Sequence, residues 1–142
     1  MSPQPDPFEL ERFVEAQRPV YEAVLGELRA GRKRSHWMWF IFPQIAGLGY
    51  SAMTQRFALG SLDEAVAYLA HSVLGPRLRE CATLVAAIEG RSAADIFGDP
   101  DDRKFRSSMT LFARAAPEDP IFAECLRRYF GGEGDPETLA RL

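Results

Sequence analysis

A helix beginning after Asp99 in the segment Asp99-Pro-Asp-Asp-Arg-Lys-Phe-Arg-Ser-Ser-Met-Thr110 places Lys104 and Ser108 one turn apart, with Ser107 close to the same face. A lysine beside two hydroxyls suits an anion pocket, and also a Ser–Lys nucleophilic pair. The same residues equally suit close helix packing, with hydroxyls bonding back to the preceding turn. Asp101, in the first turn, has the chemistry of a general acid or base. Acids at that position ordinarily satisfy helix N–H groups and the helix dipole instead.

A second cluster lies earlier in the chain. Residues 28–62 hold five basic residues and no acidic one, whereas the rest of the chain holds twelve basic and twenty acidic residues. Arg32, Lys33 and Arg34 lead into His36, Trp37, Trp39 and Gln44, so both tryptophans of the chain fall inside the acid-free window. Guanidinium groups beside aromatic faces match an anionic ligand that carries a flat ring, because guanidinium binds phosphate and the ring offers stacking. His36 offers an imidazole for acid–base work, and Gln44 offers a donor and an acceptor that can read a base or amide edge. A basic turn that merely follows a helix C-terminus would have the same composition.

Other chemistries find little footing. His36, His71, Cys81 and Cys125 show no metal-ligand spacing, and both cysteines lie on apolar helical stripes, which marks them as core. No P-loop or Gly-x-Gly-x-x-Gly run is present, and no cofactor is implied. The catalytic candidates are therefore Asp101, His36 and Lys104. The ligand-binding candidates are Arg32, Arg34, His36, Trp37, Trp39, Gln44, Lys104, Ser107 and Ser108.

These groups must be held by a helical scaffold. The chain has 142 residues, 46% hydrophobic and 26% charged, with a net charge of −3. That is the balance of an ordinary globular domain, and it excludes a disordered polymer. Apolar residues recur every three or four positions, as in Leu74, Leu78, Cys81, Leu84, Val85 and Ile88, and again in Phe122, Cys125, Leu126 and Tyr129. Asp-Pro pairs at 6–7, 99–100, 119–120 and 135–136 read as helix starts, with capping-box spacing at Asp6/Glu9 and Ser61/Glu64. Gly31, Gly90, Gly98 and Gly131-Gly132 read as stops, and Pro19 as a break between two helices. The expectation is a mainly α, orthogonal single domain of about six to eight helices over residues 6–142, after a flexible stretch of residues 1–5. Residues 36–45 read equally as a buried helix or a strand.

The longest apolar run, Trp37 to Pro43, falls far short of the roughly 20 residues of a membrane span. With two cysteines and no secretion signal, a cytoplasmic setting is expected. Net acidity disfavours a general nucleic-acid binder without excluding one.

The stretch Gly31-Arg-Lys-Arg-Ser-His-Trp-Met-Trp-Phe-Ile-Phe-Pro-Gln-Ile-Ala-Gly-Leu-Gly-Tyr-Ser51 is distinctive. With Ala67–His71, Leu74–Leu78, Ile96–Asp101 and Lys104–Phe112, it resembles the bacterial domain-of-unknown-function family 1810 over roughly residues 6–142. Ser72 stands where that pattern has proline. The resemblance implies a small, mainly helical protein. The label "calpastatin" sometimes attached to the family does not suit this chain, because such inhibitors are disordered. A looser, fold-level likeness connects it to small helical domains of NAD and ADP-ribose metabolism that act as N-glycosidases. That likeness would put Arg32 and Arg34 on a pyrophosphate, Trp37 or Trp39 on adenine, and Asp101 at ribosyl–base cleavage.

Two functions follow from these readings. One is binding or hydrolysis of a phosphorylated, nucleotide-like small molecule such as an ADP-ribosyl compound. The other is a non-enzymatic interaction module that meets a protein or nucleic acid through the basic, aromatic face.

Overall fold

Short polar side chains cap half of the helix starts. The computed structural model describes residues 5–142. Among them are ten helices: α1 (Glu11–Gln17), α2 (Tyr21–Arg29), α3 (Met38–Ile41), α4 (Ala52–Phe57), α5 (Leu62–Ala70), α6 (Leu74–Ala87), α7 (Ala93–Phe97), α8 (Asp101–Ala115), α9 (Pro120–Phe130) and α10 (Pro136–Leu139). The fold is mainly α as expected, but the count exceeds six to eight. The excess comes from α3, α4, α7 and α10, each of four to six residues and too short to display a 3.6-residue period.

Two of the four Asp-Pro pairs act as expected. Asp119 and Asp135 are N-caps, each accepting a backbone N–H, with proline at the start of the helix behind it. Asp6 works at longer range, its carboxylate accepting the N–H groups of Leu10 at 2.7 Å and Glu11 at 3.0 Å. Glu9 has φ +54° and lies outside α1, so it forms no capping box with Asp6. Asp99 does not cap α8 either, because its carboxylate pairs with Arg103 at 3.0 Å. Ser61 caps α5 through the N–H of Glu64, while the Glu64 carboxylate turns to the Gly60 N–H and to Arg12. Of the expected loose N-terminus, residues 1–4 lie outside the described residues.

The ambiguity over residues 36–45 resolves into both elements in sequence. Met38–Ile41 form one turn of helix, and Ile45 then pairs with Leu59 in an isolated parallel bridge. No longer strand occurs among the described residues.

Helix α8 runs through the centre, and residues 107–112 are buried without interruption. A helix that is buried all round must be surrounded, and α8 packs against α5, α7, α9 and α10. Phe105 of α8 stacks on Phe97 with ring centroids 4.7 Å apart and meets Phe42 edge-on at 4.9 Å. Phe112, further along α8, packs against Tyr68 and Phe122. Glycine matters most at Gly75, where a Cβ would lie 2.1 Å from the Leu69 carbonyl oxygen, so α6 can begin this close to the end of α5 only without a side chain. Arg12 draws the N-terminal part together by donating to the carbonyls of Phe8, Glu9, Arg56 and Ala58 and to the Glu64 carboxylate.

Candidate functional site

The loop that carries the basic–aromatic motif hangs on one carboxylate. Glu27 of α2 accepts the backbone N–H of Arg34 (2.6 Å) and Ser35 (2.9 Å), the Ser35 hydroxyl (2.6 Å) and the Trp37 indole N–H (2.9 Å). Burial pushes this carboxyl up, but the donated hydrogen bonds outweigh it and hold the pKa down at about 2. Lys33 N–H donates to the Ile96 carbonyl at 2.7 Å, which ties the same loop to α7.

These anchors aim Lys33 at α8. Lys33 Nζ lies 2.9 Å from Asp101 Oδ2, and Lys104 Nζ lies 3.7 Å from Asp101 Oδ1. Each lysine also faces a tryptophan ring: Lys33 sits 5.3 Å from the Trp37 centroid and Lys104 5.7 Å from that of Trp39. Asp101 is therefore the shared counter-ion of two ammonium groups.

Beside this network is a cleft of about 300 Å³ with three walls. The first turns of α8 supply Pro100, Arg103, Lys104 and Ser107. The second wall is Gln44, Leu48, Gly49 and Thr54, and the third is Asp135 and Glu137 at the start of α10. Gln44, Lys104 and Ser107, drawn from the two sequence clusters, thus meet in one cleft.

The hydroxyls of α8 divide into two kinds. Ser107 Oγ donates toward Asp135 Oδ2 (3.1 Å) and the Arg103 carbonyl (3.2 Å), and Thr110 Oγ accepts the Asp135 N–H while donating to the Arg106 carbonyl. With Arg106 donating to the carbonyls of Glu133 and Gly134, these groups dock the chain's end onto α8. The Ser107 proton thus goes to Asp135 or to backbone. Ser108 Oγ is different: it is fully buried and has no hydrogen-bond partner.

The remaining expected site residues sit elsewhere. Trp37 is 0% exposed and has no face on which a base could stack; the half-buried Trp39 presents its ring to Lys104 but does not line the cleft. Arg32, Arg34 and His36 are exposed on the Glu27-clamped loop and do not line the cleft. Arg103 takes the rim position expected of Arg32 and Arg34. Cys81 and Cys125 are buried core residues, as their stripes indicate. No group of three or more His, Cys, Asp or Glu side chains suited to a metal occurs among the described residues, and none of the helices is long and apolar enough to cross a membrane.

Sequence reasoning missed Lys33, Thr54, Arg103, Asp135 and Glu137 as site residues. Asp135 was visible only as a helix start, and its second role depends on the chain's end returning to α8.

A larger groove of about 480 Å³ opens between the C-terminal ends of α2 and α6. Its floor is aliphatic and it holds none of the clustered hydroxyl and amide groups, so the smaller cleft is the better candidate for specific small-molecule recognition.

The geometry defines a mainly helical protein with a compact mixed-charge cleft against its central helix. The chain belongs to the family described as protein of unknown function DUF1810, whose model matches residues 7–142. It is similar to the crystal structure of the conserved hypothetical protein Rv1873 from Mycobacterium tuberculosis. The two are 58% identical, with a TM-score of 0.95, over 96% of this chain and 98% of that one. No curated protein matches.

Proposed function

We propose that the cleft between α8, the 44–54 segment and α10 binds a small phosphorylated, nucleotide-like molecule. The observation that carries this reading is the meeting of Lys104 with Gln44, Thr54 and Ser107 in one concavity. Lys104 shares its counter-ion with Lys33, so part of its charge is available to an anion. Arg103, 73% exposed along its side chain and paired only with exposed Asp99, can turn toward the same phosphate. Gln44 reads an amide or base edge, and the carboxylates of Asp135 and Glu137 accept hydroxyl hydrogens at the opposite wall.

Size narrows the ligand. Ligand clefts span about 300–1,000 Å³, so this one suits a single phosphorylated nucleoside or sugar, and an ADP-ribosyl compound would leave one half outside. Binding is favoured over hydrolysis, because the acid expected to act, Asp101, is held between two lysines and does not line the cleft.

The test is a thermal-shift titration with AMP and with ADP-ribose, on the native chain and on Lys104→Gln. Ligand at about 100 times its Kd adds roughly 2.7 kcal/mol to stability. A saturable rise in Tm that disappears in Lys104→Gln is expected. A flat response of the native chain up to millimolar ligand overturns the reading.

A further inference from the structure

The acid-free motif is only partly used by the cleft. Arg29, Arg32 and Arg34, with Arg91 from the segment before α7, are all exposed. None takes part in an ion pair among the described residues. Glu27, which clamps the loop, has its carboxylate occupied by four donors from that loop, and Asp101, the other acid the loop reaches, is taken by Lys33. Arg32 and Arg34 thus sit on or beside a clamped backbone with no ion-pair partner, and Arg91 has only the nearby charge of Asp95, which leaves the group open to an outside anion.

Three of these arginines lie at or beside the 480 Å³ groove between the ends of α2 and α6. Arg29 and Arg91 line it directly, and Arg32 follows Gly31, which also lines it. Glycine at 31 leaves room for Arg91, whose Nε would lie 3.3 Å from a Cβ there. Arg128 adds a guanidinium at the groove's end by donating to the Ile88 carbonyl at 2.6 Å. The floor is Leu28, Leu84 and Ile88, and Glu89 is the groove's single acid.

We infer that this groove docks an acidic, aliphatic peptide segment of a partner protein. Charge complementarity supplies the acidic part, with arginines at the rim steering and registering carboxylates. The aliphatic floor supplies the other part, a leucine- or isoleucine-sized anchor. Single-stranded nucleic acid fits less well. It binds by stacking bases on aromatic rings, and no aromatic side chain lines the groove. This inference is independent of the cleft ligand.

The experiment is fluorescence anisotropy of the full chain with a labelled Asp-Glu-Leu-Asp-Glu peptide. Controls are Asp-Glu-Gly-Asp-Glu, Asn-Gln-Leu-Asn-Gln and an oligothymidylate. The inference expects saturable binding of the first peptide, at least about tenfold weaker with either control peptide and in Arg29→Glu/Arg91→Glu. Binding should also weaken as salt rises. Arg29→Gln/Arg91→Gln serves if the reversal lowers the melt. Absence of binding by the native chain overturns the inference, as do equal affinities for the leucine and glycine peptides, indifference to the arginine substitutions, or tighter binding of the oligonucleotide.

Discussion

Lys33 Nζ and Asp101 Oδ2 lie 2.9 Å apart, joining the loop after α2 to the first turn of α8, with the Lys33 side chain 9% exposed and that of Asp101 20%. Lys104 approaches the other oxygen of Asp101 at 3.7 Å. The shorter and more buried contact takes the larger share of the carboxylate's charge, which leaves Lys104 the more available ammonium.

Removing Lys33 should therefore act in two places. Lys33→Met leaves Asp101 without its close partner, and breaking a buried pair from one side costs about 3 kcal/mol. Lys104 is then drawn toward Asp101 and away from the cleft, so affinity for the proposed phosphorylated ligand should fall as well. Lys33→Met/Asp101→Asn should recover most of both losses, because no lone carboxylate remains. Melts and phosphate titrations of the two variants read this. A double variant as weak as the single one would show that Lys33 acts through packing on Trp37 rather than through charge.

The Glu27 clamp makes a pH-dependent prediction. Its carboxyl sits at about 2 in the fold against an ordinary 4.5, so the stabilisation is complete above about pH 4.5 and is lost as pH falls toward 2. Glu27→Gln keeps an acceptor but removes the charge, and should lower stability by about 2 kcal/mol at neutral pH. The difference between native and variant melts should shrink steadily below pH 4.5. A gap that stays constant into the acid range would mean that the charge contributes nothing.

Local signals carried most of the fold into the sequence. A capping side chain acts within three residues, so Asp119 and Asp135 were readable as starts, and Gly131 as a left-handed stop. The Asp99-Pro100 pair does stand directly before α8, but the Asp99 carboxylate does not cap it because a competing partner, Arg103, lies in the first turn of the helix. Residues 36–45 were ambiguous because their aromatics fit a helix or a strand, and only the distant pairing of Ile45 with Leu59 decides the matter. In the site, Lys104, Ser107 and Gln44 were legible as residue types that chemistry uses. Asp135 and Glu137 were not, since they arrive from the far end of the chain. Trp37 and Trp39 were indistinguishable by type, yet residues two apart face different sides of a helical turn, so one looking inward leaves the other at the surface.

Both cysteines should be inert in the folded protein. Burial first of all pushes the thiols of Cys81 and Cys125 up to about 12, so almost no thiolate exists near neutral pH. Ellman's reagent should report no free thiol in the native state and two after denaturation. Rapid labelling of either cysteine without loss of the melt would contradict the packing around α6 and α9.

Ser108 offers a prediction in which stability and binding part company. Its hydroxyl is fully buried without a partner, in the middle of α8, where alanine is the better helix former. Ser108→Ala removes the uncompensated group and should stabilise the protein by about 1 kcal/mol. For a chain of this length that is a rise in Tm of about 3 °C. Ser107→Ala, one residue earlier, should do the reverse, because it withdraws a donor from Asp135 and loosens the docking of the chain's end. If the unpartnered hydroxyl serves only packing, ligand affinity is unchanged in Ser108→Ala. A stabilised variant that also loses phosphate affinity would instead show that Ser108 gives up stability to keep a group in reserve for the ligand beside Lys104.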